Sequence, residues 1–150
     1  MTASDRAIEN LIGRYAELVD AGDFDGVAEL LADAALGAIG EEGSVRGRHE
    51  IGKLFHTTTM RHDDGTPRTK HVTTNTILEV DEAAGTATAR SYFTVLQAMP
   101  GMALQPIVAG RYHDRFARVD GAWRFSERRF GVDLMGDVSR HLFAGAPPST

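Results

Sequence analysis

A chain of 150 residues with 42% apolar and 25% charged side chains has the composition of an ordinary globular domain, long enough to bury roughly 70% of the surface its unfolded form exposes. A formal charge of -5 argues against a nucleic-acid-binding domain, whose footprint is a basic face. No apolar run approaches the ~20 residues that cross a bilayer, and Met1-Thr2-Ala3-Ser4-Asp5 lacks the regions of a signal peptide, so one cytoplasmic domain over residues 1–150 is expected.

Ser4 precedes an amphipathic stretch in which Ile8, Leu11, Ile12, Tyr15, Leu18 and Val19 recur at helical spacing, and Gly22 supplies a stop. Asp23 reads as the cap of a second helix, Phe24 to about Ala32, with Phe24, Val27, Leu30 and Leu31 as its buried stripe. Glycines 37, 40, 43 and 47 punctuate two short segments that suggest a small hairpin. A third helix is expected from about Arg48 to Arg61, and Asp63-Asp64-Gly65-Thr66-Pro67 reads as a loop.

From Arg68 threonine and valine accumulate, and turn signals fall at 81–85, 100–105 and 120–121. Four long strands follow, at about 69–80, 86–99, 106–119 and 122–131, joined as antiparallel neighbours. Helices first and a strand meander afterwards argue for an α+β protein with helices packed on one face of a curved sheet. Residues from about 133 to 150 read as a C-terminal tail, frayed through 146–150, with His141-Leu142-Phe143 as a segment able to dock on a neighbour.

Absent cysteine removes disulfides, thiolate nucleophiles and cysteine metal sites together. The six histidines show no compact ligand spacing, and Gly-rich phosphate loops are missing. No metal and no cofactor is therefore expected. Asp20 stands in the last turn of the first helix, where a carboxylate opposes the helix dipole at a cost of about 0.3–1 kcal/mol if exposed, which hints at a partner. His71, near the start of the first long strand, is the candidate partner, although a strand histidine taken alone is more often a structural or surface residue than a base. Tyr15 sits in the apolar stripe as a core residue whose hydroxyl reaches the interior. Strand alternation puts Trp123, Phe125, Glu127 and Arg129 on one face, making Arg129 the interior candidate; a bulge would substitute Arg128.

Tyr15-x4-Asp20, Asp23-Phe24-Asp25-Gly26-Val27, Gly47-Arg48-His49-Glu50-Ile51, the His71 strand, Gly110-Arg111-Tyr112-His113-Asp114 and Gly121-Ala122-Trp123-Arg124-Phe125 together resemble the SnoaL-like branch of the nuclear transport factor 2 superfamily, over about residues 5 to 132. The resemblance implies a conical α+β barrel, a strongly bent, mostly antiparallel sheet wrapped by three helices around a deep apolar pocket. Its closest chemical match is the group of scytalone dehydratase, lindane dehydrochlorinase and bile-acid dehydratase, which implies a histidine and aspartate pair at His71 and Asp20, with Tyr15 as the helix-one tyrosine. The second carboxylate of the bile-acid enzymes is missing, since the next strand offers only Ser91, Thr94 and Gln97.

On that footing the expected activity is a cofactor-independent β-elimination or isomerisation of a small, largely apolar, ring-containing substrate. His71 removes a proton, and the Asp20 carboxylate fixes the imidazole tautomer. Tyr15, Tyr92 or Tyr112 would polarise a carbonyl, and Arg129 would balance developing negative charge. Phe55, Thr73, Asn75, Tyr92, Thr94 and Tyr112 are the expected pocket lining. On the strand of His71, alternation sends His71, Thr73, Asn75 and Ile77 inward, and Val72, Thr74, Thr76 and Leu78 outward. Outward Val72, Leu78, Phe116 or Phe130 would leave an apolar face, so a homodimer or homotrimer is expected. The competing expectation is a noncatalytic binder or the small subunit of a ring-hydroxylating dioxygenase.

Overall fold

The computed structural model describes residues 1–145. Helix α1 spans Ala3–Asp20, and its cap is Thr2, two residues before the expected serine, because Thr2 and Asp5 form a reciprocal capping box. The Asp5 nitrogen donates to the Thr2 hydroxyl at 3.1 Å, and the Thr2 nitrogen donates to Asp5 Oδ2 at 2.8 Å, which satisfies two otherwise orphaned donors. Its buried stripe is Ile8, Ile12, Tyr15 and Val19. Helix α2, Phe24–Leu30, is capped by Asp23, whose carboxylate accepts from the Gly26 nitrogen at 2.8 Å. Helix α3, Arg48–Thr58, ends three residues earlier than the sequence suggested.

Six strands form one sheet: β1 (Ala35–Ala38), β2 (Val45–Arg46), β3 (Thr69–Asp81), β4 (Thr86–Met99), β5 (Met102–Val119) and β6 (Ala122–Met135), in the order β2-β1-β6-β5-β4-β3. The last four make the expected antiparallel meander, with longer ends on β5 and β6. The glycine-punctuated segment is the expected hairpin of β1 and β2, and β1 also pairs parallel to β6. Helix α1 crosses the concave face to touch both β3 and β6, so the sheet closes around it as an α+β cone.

Two bulges decide what faces inward. On β3, Thr74 pairs with Tyr92 and Ile77 with Arg90, so one extra residue is inserted where Asn75 adopts φ +56°. The side-chain phase inverts there. His71 and Thr73 point inward and Val72 and Thr74 outward, as alternation demands, but Ile77 is exposed and Leu78 and Val80 pack on the core. On β6, Glu127 pairs with Arg115 and Phe125 with Phe116. Ser126 is the extra residue, and Trp123, Phe125 and Arg128 share the inner face.

The centre of the cone is aromatic. Phe93 stacks on Tyr112 with ring centroids 4.6 Å apart, and Tyr15 meets both Tyr112 and Phe55 edge-on. Gly110 allows the first contact, because a Cβ there would meet the Gly131 carbonyl and the Phe93 ring. Buried among these rings lies a bidentate ion pair, Arg128 Nε and Nη2 each 2.8 Å from an Asp114 oxygen. The Arg128 guanidinium carbon sits 3.7 Å from the Tyr112 centroid and 4.2 Å from that of Tyr15. Burial alone would favour losing its proton, but the Asp114 carboxylate raises its pKa and keeps it charged.

After β6 the chain turns back across the open end of the cone. Leu142 bridges Thr59, the Met60 nitrogen donates to the His141 carbonyl at 2.8 Å, and the Phe143 nitrogen to Thr58 at 3.0 Å. The Arg140 carbonyl accepts from Gln97 Nε2 at 2.9 Å and lies 2.8 Å from His62 Nε2. His141 and Leu142 are thus buried in their own chain, where the sequence suggested docking on a neighbour. The expected tail from about 133 is thus ordered through Phe143, because β6 runs to Met135 and the residues after it bond back to β5 and to the end of α3; residues 146–150 lie outside the described residues.

Candidate active site

Asp20 is the last residue of α1, and packing of that helix on β3 delivers its carboxylate to the start of the strand. The electrostatically poor helix end is compensated from across the gap. His71 Nδ1 lies 2.6 Å from Asp20 Oδ1, the His71 main-chain nitrogen donates to Oδ2 at 2.8 Å, and the Thr69 hydroxyl donates to Oδ1 at 2.8 Å. Burial pushes the Asp20 carboxyl upward, but the ring, charge and backbone N–H of His71 with the Thr69 hydroxyl outweigh it and hold the pKa below 3.8. Asp20 is therefore a carboxylate at neutral pH.

A carboxylate only accepts, so the proton of a neutral His71 sits on Nδ1, and Nε2 is left with its lone pair. That nitrogen is buried and has no hydrogen-bond partner. The His71 side chain is wholly enclosed, and that of Asp20 is 9% exposed. Outside the pair, between α1 and β3, a groove of about 510 Å³ bordered by Gly13, Glu17, Lys70 and Thr73 reaches Asp20.

Other inward polar atoms share this lack of partners: Ser91 Oγ, Gln97 Oε1, Tyr112 Oη, Arg128 Nη1 and both ring nitrogens of His141. Buried polar atoms are ordinarily paired. They all lie on the inner faces of the strands or in the segment that follows β6. Burial raises the Tyr15 hydroxyl to about 12 and Tyr112 well above 10, so both phenols stay protonated and can donate.

The remaining expected site residues divide by strand phase. Tyr112 faces the interior and Thr73 is half-buried on the inner side. Phe55 is buried in the helical core against Tyr15 and Phe24. Tyr92 is 54% exposed and Thr94 shares its outward side, because Phe93 and Val95 take the inner phase of β4. Asn75 is spent on the bulge and borders an outer groove with Ile77, Tyr92 and Arg111. Arg129 points away from the cone and staples the β1–β2 hairpin through the carbonyls of Ala38, Glu41 and Gly43 at 3.0–3.3 Å, while Arg128 takes the interior place. The expected deep apolar pocket does not open at the His71 side chain, which is wholly enclosed, and the aromatic interior is packed as core. His141, read from the sequence only as part of a docking segment, lies with its ring 6.0 Å, centroid to centroid, from that of His71. No periodicity marks the segment carrying it, and the only signal was an apolar pair beside a histidine after the last strand. Among the described residues no three His, Asp or Glu side chains gather as a metal-ligand set, and no helix is long and apolar enough to cross a membrane.

The curved-sheet α+β cone is the fold class to which this protein belongs. The SnoaL-like domain model matches residues 1–129, and the chain belongs to that family. None of the curated proteins compared with it matches significantly. Among solved structures it is similar to a protein of unknown function from Mycobacterium tuberculosis, with 27% identity, TM-score 0.69, and 88% of this chain and 73% of that one covered. It is also similar to an NTF2-like protein with a cystatin-like fold from Novosphingobium aromaticivorans, with 23% identity, TM-score 0.68, and 85% and 80% covered. A proposed scytalone dehydratase from the same organism has 21% identity and TM-score 0.68, with 89% and 87% covered.

Proposed function

We propose that the protein is a cofactor-independent lyase or isomerase in which His71 Nε2 removes a proton beside a carbonyl of a small, ring-containing substrate. The observation that carries this reading is the Asp20–His71 hydrogen bond at 2.6 Å combined with a free, inward Nε2. Asp20 holds the tautomer with its lone pair on Nε2 and stabilises the imidazolium once the proton arrives. A positioned base contributes on the order of 10²- to 10⁴-fold. The aromatic interior suits a ring, and the unpaired inward polar atoms suit its oxygen substituents.

The experiment is deuterium incorporation α to the carbonyl across a panel of cyclic ketones and β-hydroxyketones in D₂O, followed by proton NMR. Wild-type protein accelerates exchange, and dehydration where a β-hydroxyl is present, while His71→Ala does not. Equal exchange by His71→Ala and wild type would sink the reading.

The enclosure of His71 favours the second reading, a noncatalytic binding protein or assembly subunit. That reading predicts ligand binding with no exchange in any member of the panel.

A further inference from the structure

We propose that His141 is a second catalytic residue, the hydrogen-bond donor to the oxygen on which negative charge develops as His71 removes the proton. This rests on His71 being the base. The His141 ring is fully buried, yet neither of its nitrogens has a partner. A histidine kept only for packing commonly spends a ring nitrogen on a backbone carbonyl or a carboxylate, because an unpaired buried polar group is costly. Here the segment is anchored by other groups: the main chain of Arg140 and His141 is clamped by Gln97, His62 and Met60, and the ring is left beside that of His71. The two rings meet edge-on at 62°.

The chemistry asks for such a neighbour. When Nε2 of His71 takes the α proton, the C–H electron pair becomes the new C=C bond and the carbonyl π pair moves onto oxygen. Charge therefore appears on the oxygen two bonds from the carbon that lost the proton, and a donor must stand beside the base. A ring adjoining that of His71 occupies that place. In an elimination the enolate re-forms the carbonyl and expels the β-hydroxyl, which takes the proton from His71 and leaves as water. Burial, then the charge of His71, holds the His141 pKa to about 3, against a weaker opposing pull from Asp20. His141 thus donates as neutral imidazole and adds no positive charge that would weaken His71 as a base.

The test uses the full-length protein with 3-hydroxycyclohexanone as probe, reading α-deuterium exchange and cyclohexenone formation in wild type, His141→Phe, His141→Gln and His71→Ala. Thermal melting and the ring ¹⁵N signals of His71 report whether each variant keeps the site. Removing a donor of this kind costs about 10²- to 10³-fold in kcat, so His141→Phe should lose about that much with KM little changed. Glutamine retains an N–H donor, and His141→Gln should recover at least about 10-fold of the loss. Wild-type exchange in a folded His141→Phe, or equal losses in the two His141 variants, overturns the role of His141. If His71→Ala is inactive in the same experiment, the reading of the base still stands. Absence of protein-dependent exchange in wild type overturns both.

Discussion

Asp20 grips His71 twice, its Oδ1 2.6 Å from the ring Nδ1 and its Oδ2 2.8 Å from the main-chain nitrogen. One carboxylate therefore sets both the ring tautomer and the place of the strand beneath it. Asp20→Asn keeps the shape but loses the charge, and an amide can offer N–H toward Nδ1 and reverse the tautomer. Exchange activity should fall about 10²- to 10⁴-fold. Loss of charge-assisted bonds should lower stability by about 1.5–3 kcal/mol, measured by urea unfolding at pH 7. Activity within twofold of wild type would show that the pair has no part in the chemistry.

Acid should weaken the fold through His141. Its folded pKa of about 3 lies below the ordinary 6.5, so between those values the unfolded chain binds the proton that the folded ring refuses. The stability from burying neutral His141 is complete above about pH 6.5 and declines toward pH 3, by up to about 1.4 kcal/mol per unit. The charged or titratable groups acting on this ring are His71, Asp20 and His62. Asp20, with its pKa lowered, contributes stability that is present above 3.8 and is lost at lower pH as the carboxylate protonates. Melting temperatures should fall from pH 7 to pH 5, and His141→Phe should flatten that slope. An unchanged slope in the variant contradicts the burial argument.

The Arg128–Asp114 pair is a second stability site. Removing the acid alone leaves a guanidinium buried among Tyr15, Tyr112 and Phe125. Asp114→Ala should cost about 3–5 kcal/mol, whereas replacing both partners with apolar residues of similar volume should recover most of it. Urea unfolding of the single and double variants measures the difference.

How far the sequence reached depends on phase. The three helices, the Asp23 cap, the meander and, with the family resemblance, the Asp20–His71 juxtaposition were legible because amphipathic spacing, turn residues and an ill-placed carboxylate carry local signals. A bulge carries almost none. One extra residue near Asn75 and another at Ser126 invert the faces of β3 and β6, exchanging Ile77 for Leu78 and Arg129 for Arg128. Tyr92 and Thr94 were misplaced for a different reason: inner phase on β4 follows from pairing with β3, where Val95 lies opposite His71 and Phe93 opposite Thr73. The approach of His141 to His71 is a long-range contact without periodicity.

The same phase error bears on association. Leu78 and Phe130 pack against the core and Phe116 is buried within it, so the outward apolar surface is instead Val72, Ile77 and Tyr92. We expect a homo-oligomer through that surface, and a paired Ile77→Glu and Tyr92→Glu substitution to give monomers by light scattering at micromolar concentration. A monomeric wild type would remove the expectation.

Asn75 itself is testable. Its φ of +56° suits asparagine or glycine, while a β-branched residue there is strained by about 1–2 kcal/mol. Asn75→Gly should be nearly neutral in thermal melting and Asn75→Val destabilising; equal melting temperatures would contradict the bulge.

The central claim is that His71 presents a bare Nε2 because Asp20 holds the proton on Nδ1. Long-range ¹H–¹⁵N NMR of histidine-labelled protein at neutral pH reads this without any substrate. The predicted spectrum has His71 protonated on Nδ1, with a downfield hydrogen-bonded proton that disappears in Asp20→Asn, and an unprotonated Nε2. A proton on Nε2, or an Nδ1 signal indifferent to Asp20→Asn, would contradict the account.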